Sequence, residues 1–404
     1  MNIFQRLYCR SYQKIVFAFS FTLKFNEPEL HEGAGCLKDI PLILSAKNRM
    51  HPLILTDPGI YKLGLHSPLL KVLDDSKISY ELYHDVIPNP TFDVVEAAYK
   101  MFRDGNCDCL IALGGGSTMD TAKAVGARFV NPHRSLQQLK GLLKVRHNTP
   151  LMIAIPTTAG TGSEATLAAV VVNPKTKDKF SINDPHLIPE VAVLDNSLLR
   201  GLPPSVIAMT GVDALTHAIE SYIGHSSTKK SKECALKAMA LIQKNLVLFY
   251  QDASNEKARE GMQKAAYLAG VSFTRAYVGY VHALAHALGG FYNVPHGLAN
   301  AILLPYVLKA YGKSAYKRLA EIADYLELSS PSAPLATKAN AVIAYIESLN
   351  ASLGIPKTFA HVIKPEDLVP LSQHAAKEGN PLYPVPKELS AKQLRAIYQE
   401  ADPQ

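Results

Sequence analysis

Residues 109–123 read CLIALGGGSTMDTAK. An apolar run of strand length passes without a break into three glycines, and a helical pattern follows them. Glycines 114–116 let the backbone turn tightly and let a ligand approach where a Cβ would clash. A helix starting near Ser117 and Thr118, with either hydroxyl as its cap, points free N–H groups and partial positive charge at the turn. A pyrophosphate suits that position. The spacing is neither the Walker pattern nor the usual dinucleotide fingerprint, so its weight rests on the strand–turn–helix context.

The same alternation extends in both directions. PLILT (52–56), ISYEL (78–82), LMIAIP (151–156) and VAVLD (191–195) are apolar runs of similar length. Helical patterns separate several of them, as in Thr91–Arg103 and Met119–Phe129. Such alternation predicts a parallel sheet with helices on both faces, which takes ligands at the carboxyl ends of its strands near a switch in strand order. Two more segments lie at strand ends. PTTAGTGSEAT (156–166) offers hydroxyls and close-approach glycines, and Gly160-x-Gly162-x-x-Ala165 meets the relaxed dinucleotide fingerprint formally. Asp57 closes PLILT, where an acid binds a ribose 2′-hydroxyl and repels a 2′-phosphate; the alternative is a turn aspartate before Pro58.

After Pro203-Pro204 strand signals nearly vanish. With Ser205 as candidate cap, helices are predicted near 205–223, 229–250, 256–275, 278–290, 300–313 and 315–326, and from 335 to the end. The predicted organisation is a basic N-terminal extension and edge strand (1–26), an α/β dinucleotide-binding domain (27–199) and an all-α domain (200–404). The chain's 404 residues suit two domains.

Composition narrows the function classes. With 48% hydrophobic and 19% charged residues, the chain is neither disordered nor fibrous. No run of eighteen apolar residues offers a spanning helix. The net charge is +7, and Arg6, Arg10, Lys14 and Lys24 supply four of those charges in a segment without acids. The rest is too dilute for a nucleic-acid surface, so neither a nucleic-acid nor a membrane partner is expected. Five scattered cysteines without a Cys-x-x-Cys pair fit free thiols in a reducing, cytoplasmic setting. The apolar run IVFAFSFTL (15–23) is short, is closed by Lys24 and lacks a small-x-small site, which argues against a signal peptide. Phe17, Phe19, Phe21, Leu23 and Phe25 alternate with smaller or polar residues and predict a strand. That edge is available to a partner's sheet, giving a homodimer or higher homo-oligomer.

Asp213 and His217 (DALTH) are four apart in a helical segment, and so are His282 and His286 (HALAH). His296 follows Gly289-Gly290 and Pro295, where the chain turns back. The flanks are apolar, so these side chains are buried and need partners. Three imidazoles and one carboxylate around a divalent transition metal meet that need. Spacing leaves open which histidines bind.

Four segments together, GGGSTMDTAK (114–123), PTTAGTGSEAT (156–166), TGVDALTHAIESY (210–222) and HALAHALGGFYNVPHGLANAILLP (282–305), closely resemble the iron-dependent, or group III, alcohol dehydrogenases. The resemblance runs from about Pro28 to residue 400. It implies a dinucleotide-binding α/β domain followed by a helical metal-binding domain, an architecture shared with dehydroquinate synthases. By motif, Asp213, His217, His282 and His296 look like the four metal ligands, for Fe2+ or Zn2+. His286 resembles the family's non-ligand histidine beside the nicotinamide and the substrate oxygen, a candidate proton relay. Gly115, Gly116, Ser117 and Asp120 look like the pyrophosphate turn, and Thr157, Thr158, Thr161 and Thr166 resemble cofactor-lining residues. Lys179 stands where the family has a lysine near the cofactor ribose. Asn89 resembles the wall near the nicotinamide, and Asp57 resembles the adenosine-ribose acid, favouring NAD over NADP by like-charge repulsion of a 2′-phosphate. The implied activity is reversible oxidation of a small alcohol or diol to an aldehyde or ketone. A related lyase of the dehydroquinate-synthase kind is the alternative, distinguished by giving no net NADH.

Overall fold

The computed structural model describes Met1, residues 3–175 and residues 179–403. By contacts the chain divides into two units: Lys24–Gly201, and Met1–Leu23 together with Leu202–Gln404.

In the first unit, strands β1 (Glu29–Glu32), β2 (Pro52–Leu55), β3 (Glu81–Tyr83), β4 (Cys109–Gly114), β5 (Gly141–Leu142), β6 (Leu151–Pro156), β7 (Ala168–Val172), β8 (Lys179–Asn183) and β9 (Val191–Leu194) form two sheets. Six of them make a parallel sheet in the order β1-β9-β6-β4-β2-β3. Every residue of β4 and β6 is buried, because both faces of a parallel sheet are covered. Leu53, Leu110 and Ala112 pack with Val95 and Phe102 of the helix Phe92–Asp104 and with Met119 and Ala122 of the helix Gly116–Phe129. The chain places β3 on one side of β2 and then crosses to β4 on the other. The switch in strand order therefore lies between β2 and β4, where Asp57 and the 114–117 turn emerge.

A second, three-stranded sheet pairs β7 antiparallel and β5 parallel to β8. It holds the Pro88–Pro90 loop, since Val172 N–H donates to Pro90 O (2.9 Å) and Thr91 bridges Val172.

The second unit is helical, with no strand among its described residues. Its central helix, Pro204–Ile223, is buried from Gly211 onward, as its nearly all-round apolar sequence requires. Pro203 rather than Ser205 holds the cap position. The helix Tyr280–Tyr292 runs through Gly289 and Gly290; the chain turns at Asn293 in the left-handed region (φ 54°) and Pro295, and the next helix is His296–Tyr311.

The N-terminus departs from the sequence expectation. Residues Ile3–Ser20 form a helix, not a solvated lead-in followed by an edge strand, and its buried Cys9 and Gln13 join the helical unit. The alternation over 17–25 is overridden by a face of period 3.6, on which Cys9, Gln13, Val16 and Ser20 are wholly or partly buried. The strand expected to pair with a partner's sheet is therefore absent. The cysteines are all buried and form no disulfide.

Candidate functional site

In the helical unit, Asp213 and His217 stand one turn apart on the central helix. With His282 they bring ligand atoms within 4.8 Å of one another, all three buried. Asp213 Oδ1 lies 3.8 Å from His282 Nε2 and 3.6 Å from His296 Nε2. His217 stacks on Phe273 and on His282, with ring centroids 4.2 and 4.5 Å apart. His296, at the first turn of its helix, is the most exposed of the four.

The cluster is fixed from behind. Glu220, three residues after His217, accepts hydrogen bonds from Gly279 N–H and Val281 N–H (2.8 Å each) and contacts His282 Nδ1 at 2.6 Å. A Cβ at Gly279 would stand 2.6 Å from Glu220 Oε1, so only glycine admits this approach. Burial pushes Glu220 up to about 7 against its three donors. Burial, reinforced by His217, holds His282 well below the usual imidazole range. His282 is thus a neutral ring, its Nδ1–H on Glu220 and its Nε2 lone pair turned to the cluster. Burial opposes ionisation of Asp213, but the three imidazoles and the Asn300 amide outweigh it and hold its carboxyl low.

Asn300 stands at the centre of these acceptors. Its Nδ2 lies 2.7 Å from Asp213 Oδ1, 3.1 Å from His296 Nε2 and 3.3 Å from His282 Nε2. Its own buried Oδ1 has no hydrogen-bond donor among the described residues. The acceptors outnumber the two Nδ2 hydrogens of Asn300, and a divalent cation would supply the missing positive charge. Imidazole nitrogens and a carboxylate oxygen 3.6–3.8 Å apart fit ligands about 2.1 Å from one ion.

His286 sits on the same helix as His282 and stacks on His296 (5.1 Å). Its Nδ1 lies 2.7 Å from Glu378 Oε1, which also accepts from Tyr383 O–H at 2.8 Å. Burial opposes ionisation of Glu378, yet His286 and Tyr383 together hold it below the usual carboxylate range. One ring nitrogen of His286 is thereby committed to a half-buried carboxylate.

In the α/β unit, Gly115 takes the cap position of the helix Gly116–Phe129 without a side-chain cap, so Ser117 and Thr118 do not serve there. Its N–H groups remain available to an anion. A Cβ at Gly114 would meet Thr118 Oγ1 at 2.3 Å. The second loop lies alongside: Thr157 N–H donates to Gly114 O (3.0 Å), while Thr158 and Thr161 stand over Gly115 and Gly116. Asn89, at φ 54° between two prolines, donates its N–H to Ser117 Oγ (3.3 Å) and accepts from Lys179 Nζ (2.7 Å). Asp57 caps the helix Pro58–Lys62 with Oδ1 alone, accepting from Gly59 and Ile60 N–H groups.

Lys123 ties the two loops together. Its buried ammonium donates to Ser163 O (2.6 Å), Ser163 Oγ (3.0 Å), Thr166 Oγ1 (2.9 Å) and Ala168 O (3.1 Å). Ser163 Oγ also lies 3.2 Å from Asp120 Oδ1. Thr166 is thus turned into the protein. Burial pushes Lys123 down to about 8, Asp120 up to about 6 and Glu164 up to about 7.

Sequence reasoning missed Glu220, Asn300, Lys123 and Glu378. Glu220 and Asn300 carry a local signal: Glu220 lies seven residues after Asp213, and Asn300 lies four after His296, each on the same helix face. Glu378 has none, since it meets His286 across 92 residues.

Residues 28–196 match the sequence pattern of iron-containing alcohol dehydrogenases, and residues 207–401 match that of the C-terminal part of the Fe-containing alcohol dehydrogenase family. The chain is 38% identical to alcohol dehydrogenase 4 of Saccharomyces cerevisiae over 372 residues, 91% of this chain and 95% of that one. It is 36% identical to lactaldehyde reductase of Escherichia coli over 86% of this chain and 92% of the reductase. Sulfoacetaldehyde reductase from Bifidobacterium kashiwanohense, solved in complex with NAD+, superposes with a TM-score of 0.84 at 26% identity, covering 94% of this chain and 99% of that one.

Proposed function

The chain belongs to the iron-containing alcohol dehydrogenase family, and from that footing we propose that it transfers hydride reversibly between a small primary alcohol or diol and NAD. The products are an aldehyde or ketone and NADH. The observation that carries this reading is the buried group Asp213, His217 and His282, with His296 Nε2 3.6 Å from Asp213 Oδ1 at its more exposed side. These four would hold iron(II) or zinc(II), since imidazole and carboxylate suit both. When bound, the cation supplies Lewis acidity toward the alcohol oxygen, and the dinucleotide supplies the hydride acceptor.

The chain's own groups do the rest. Glu220 fixes the tautomer and orientation of His282. His286 carries the alcohol proton at Nε2 while Nδ1 stays on Glu378. The N–H groups of Gly115, Gly116 and Ser117 receive the pyrophosphate, with Thr157, Thr158 and Thr161 lining the second loop. Thr166 acts through Lys123 and Asp120 through Ser163, which Lys123 also holds, so that loop stays against the first. Asp57 uses the carboxylate oxygen not engaged in its helix cap to bind the ribose 2′-hydroxyl and exclude NADP. Lys179 stands on the ribose side, hydrogen-bonded to Asn89 at the nicotinamide wall.

The test is a panel of short primary alcohols, diols and aldehydes assayed with NAD(H) on chelator-stripped protein, before and after adding ferrous or zinc ion. NADH formation restored by metal is the expected result. Turnover that ignores the metal, or no turnover with any member of the panel, overturns the reading.

A further inference from the structure

The N-terminal helix Ile3–Ser20 is fastened to its unit by one face only. Gln13 Nε2 donates to Tyr383 O (2.8 Å) and Pro381 O (3.2 Å). Arg10 donates to Val385 O (2.8 Å) and Pro386 O (3.0 Å) and pairs with Glu388. The opposite face is apolar and exposed. Phe4, Leu7, Tyr8, Ile15 and Phe19 recur with helical spacing, and Phe4 and Ile15 are 78% and 68% exposed. A patch of large apolar side chains on one stripe marks a binding surface.

The charges on this helix select the partner. Lys14 is exposed beside the stripe, Arg6 is exposed one turn before Arg10, Arg10 is matched by Glu388, and no acidic residue occurs before Glu27. Two copies packed stripe to stripe would bring cations together with no helix carboxylate to answer them, whereas helix pairing by such seams uses opposite charges along its flanks. An anionic bilayer surface meets both needs: headgroups take the cations and the acyl boundary takes the aromatic and aliphatic side chains. The helix does not qualify as a membrane span. We propose that it docks the protein on anionic phospholipid surfaces, lying in the interface with Phe4, Leu7, Tyr8, Ile15 and Phe19 inward.

The full chain is mixed with phosphatidylcholine vesicles, or with vesicles in which phosphatidylserine replaces part of the phosphatidylcholine, and sedimented. The expected result is capture by the serine-containing vesicles only, weakened by salt. Ile15→Ser with Phe19→Ser, and separately Arg6→Glu with Lys14→Glu, should each cut the bound fraction at least tenfold. Both pairs are exposed and lie outside the cluster and loops above, so alcohol oxidation without lipid stays at the wild-type rate. Wild-type protein left in the supernatant by both vesicles overturns the proposal, as does capture that neither pair of substitutions reduces. Sedimentation velocity without lipid completes the test. A wild-type assembly that Ile15→Ser with Phe19→Ser splits into smaller species assigns the stripe to a second copy and also overturns it. An unchanged assembly size supports it.

Discussion

The helical unit and the α/β unit prepare their sites by opposite means. In the helical unit the converging groups are side chains, and most are aimed by another side chain: Glu220 behind His282, Asn300 among Asp213, His282 and His296, and Glu378 behind His286. In the α/β unit the converging groups are largely backbone N–H groups of a glycine turn, and one ammonium, Lys123, holds the neighbouring loop in register. A site of aimed side chains is sensitive to what stands behind each donor. A site of backbone groups is sensitive to added atoms and to the loop's anchor.

Substitutions can break this contrast or sharpen it. The largest effect is expected from His282→Ala, which removes a donor of the cluster. Metal retained after dialysis, read by elemental analysis, and turnover should fall together to background, with the dissociation constant for NAD unchanged. Loss of NAD binding as well would erase the distinction between the units. Glu220→Gln leaves every donor in place but sets an amide N–H against one of three donors. Metal affinity by chelator competition should drop about 10–100-fold, the usual cost of disturbing a partner behind a metal ligand.

On the other side, Gly114→Ala forces a Cβ against Thr118. Overpacking of about 1–3 kcal/mol predicts NAD affinity weakened roughly tenfold in titration calorimetry, with metal content untouched. Asp57→Asn keeps the helix cap and removes the charge, so the ratio of kcat/KM for NAD over NADP should fall several-fold; an unchanged ratio removes Asp57 from that role. Lys123→Met gives the smallest readout, in thermal stability. Burial lowers this lysine to about 8 from an ordinary 10.5, so between those values the folded state binds fewer protons than the unfolded chain and gains stability as pH rises. The wild-type advantage in Tm over the variant should therefore widen across that window, by about 2–4 °C for each kcal/mol gained.

Legibility in the sequence followed the range of the interactions. CLIAL and LMIAIP become β4 and β6 as read, because strands covered on both faces need continuous apolar runs. The β7–β8 pair was missed, since VVVNPKTKDKFSIN mixes charges with apolar residues and its alternation is set by half-buried faces. The N-terminal segment was misread, because its phenylalanines have period two while the contacts that hold Arg10 and Gln13 lie more than 360 residues away. The same distinction sorts the site. Asp213, His217 and Glu220 share one helix face and can be found by counting, whereas the pairing of Lys123 with Ser163 and of His286 with Glu378 exists only once the chain has folded.

The division of the chain has a practical consequence for dissecting it. Met1–Leu23 fold with Leu202–Gln404, so a recombinant fragment beginning at Leu202 would strand Glu388 without the guanidinium it pairs with and uncover the Tyr383 and Val385 carbonyls. Lys24–Gly201, by contrast, is one continuous stretch of chain. It is the piece to express by itself when dinucleotide affinity is to be measured apart from the metal.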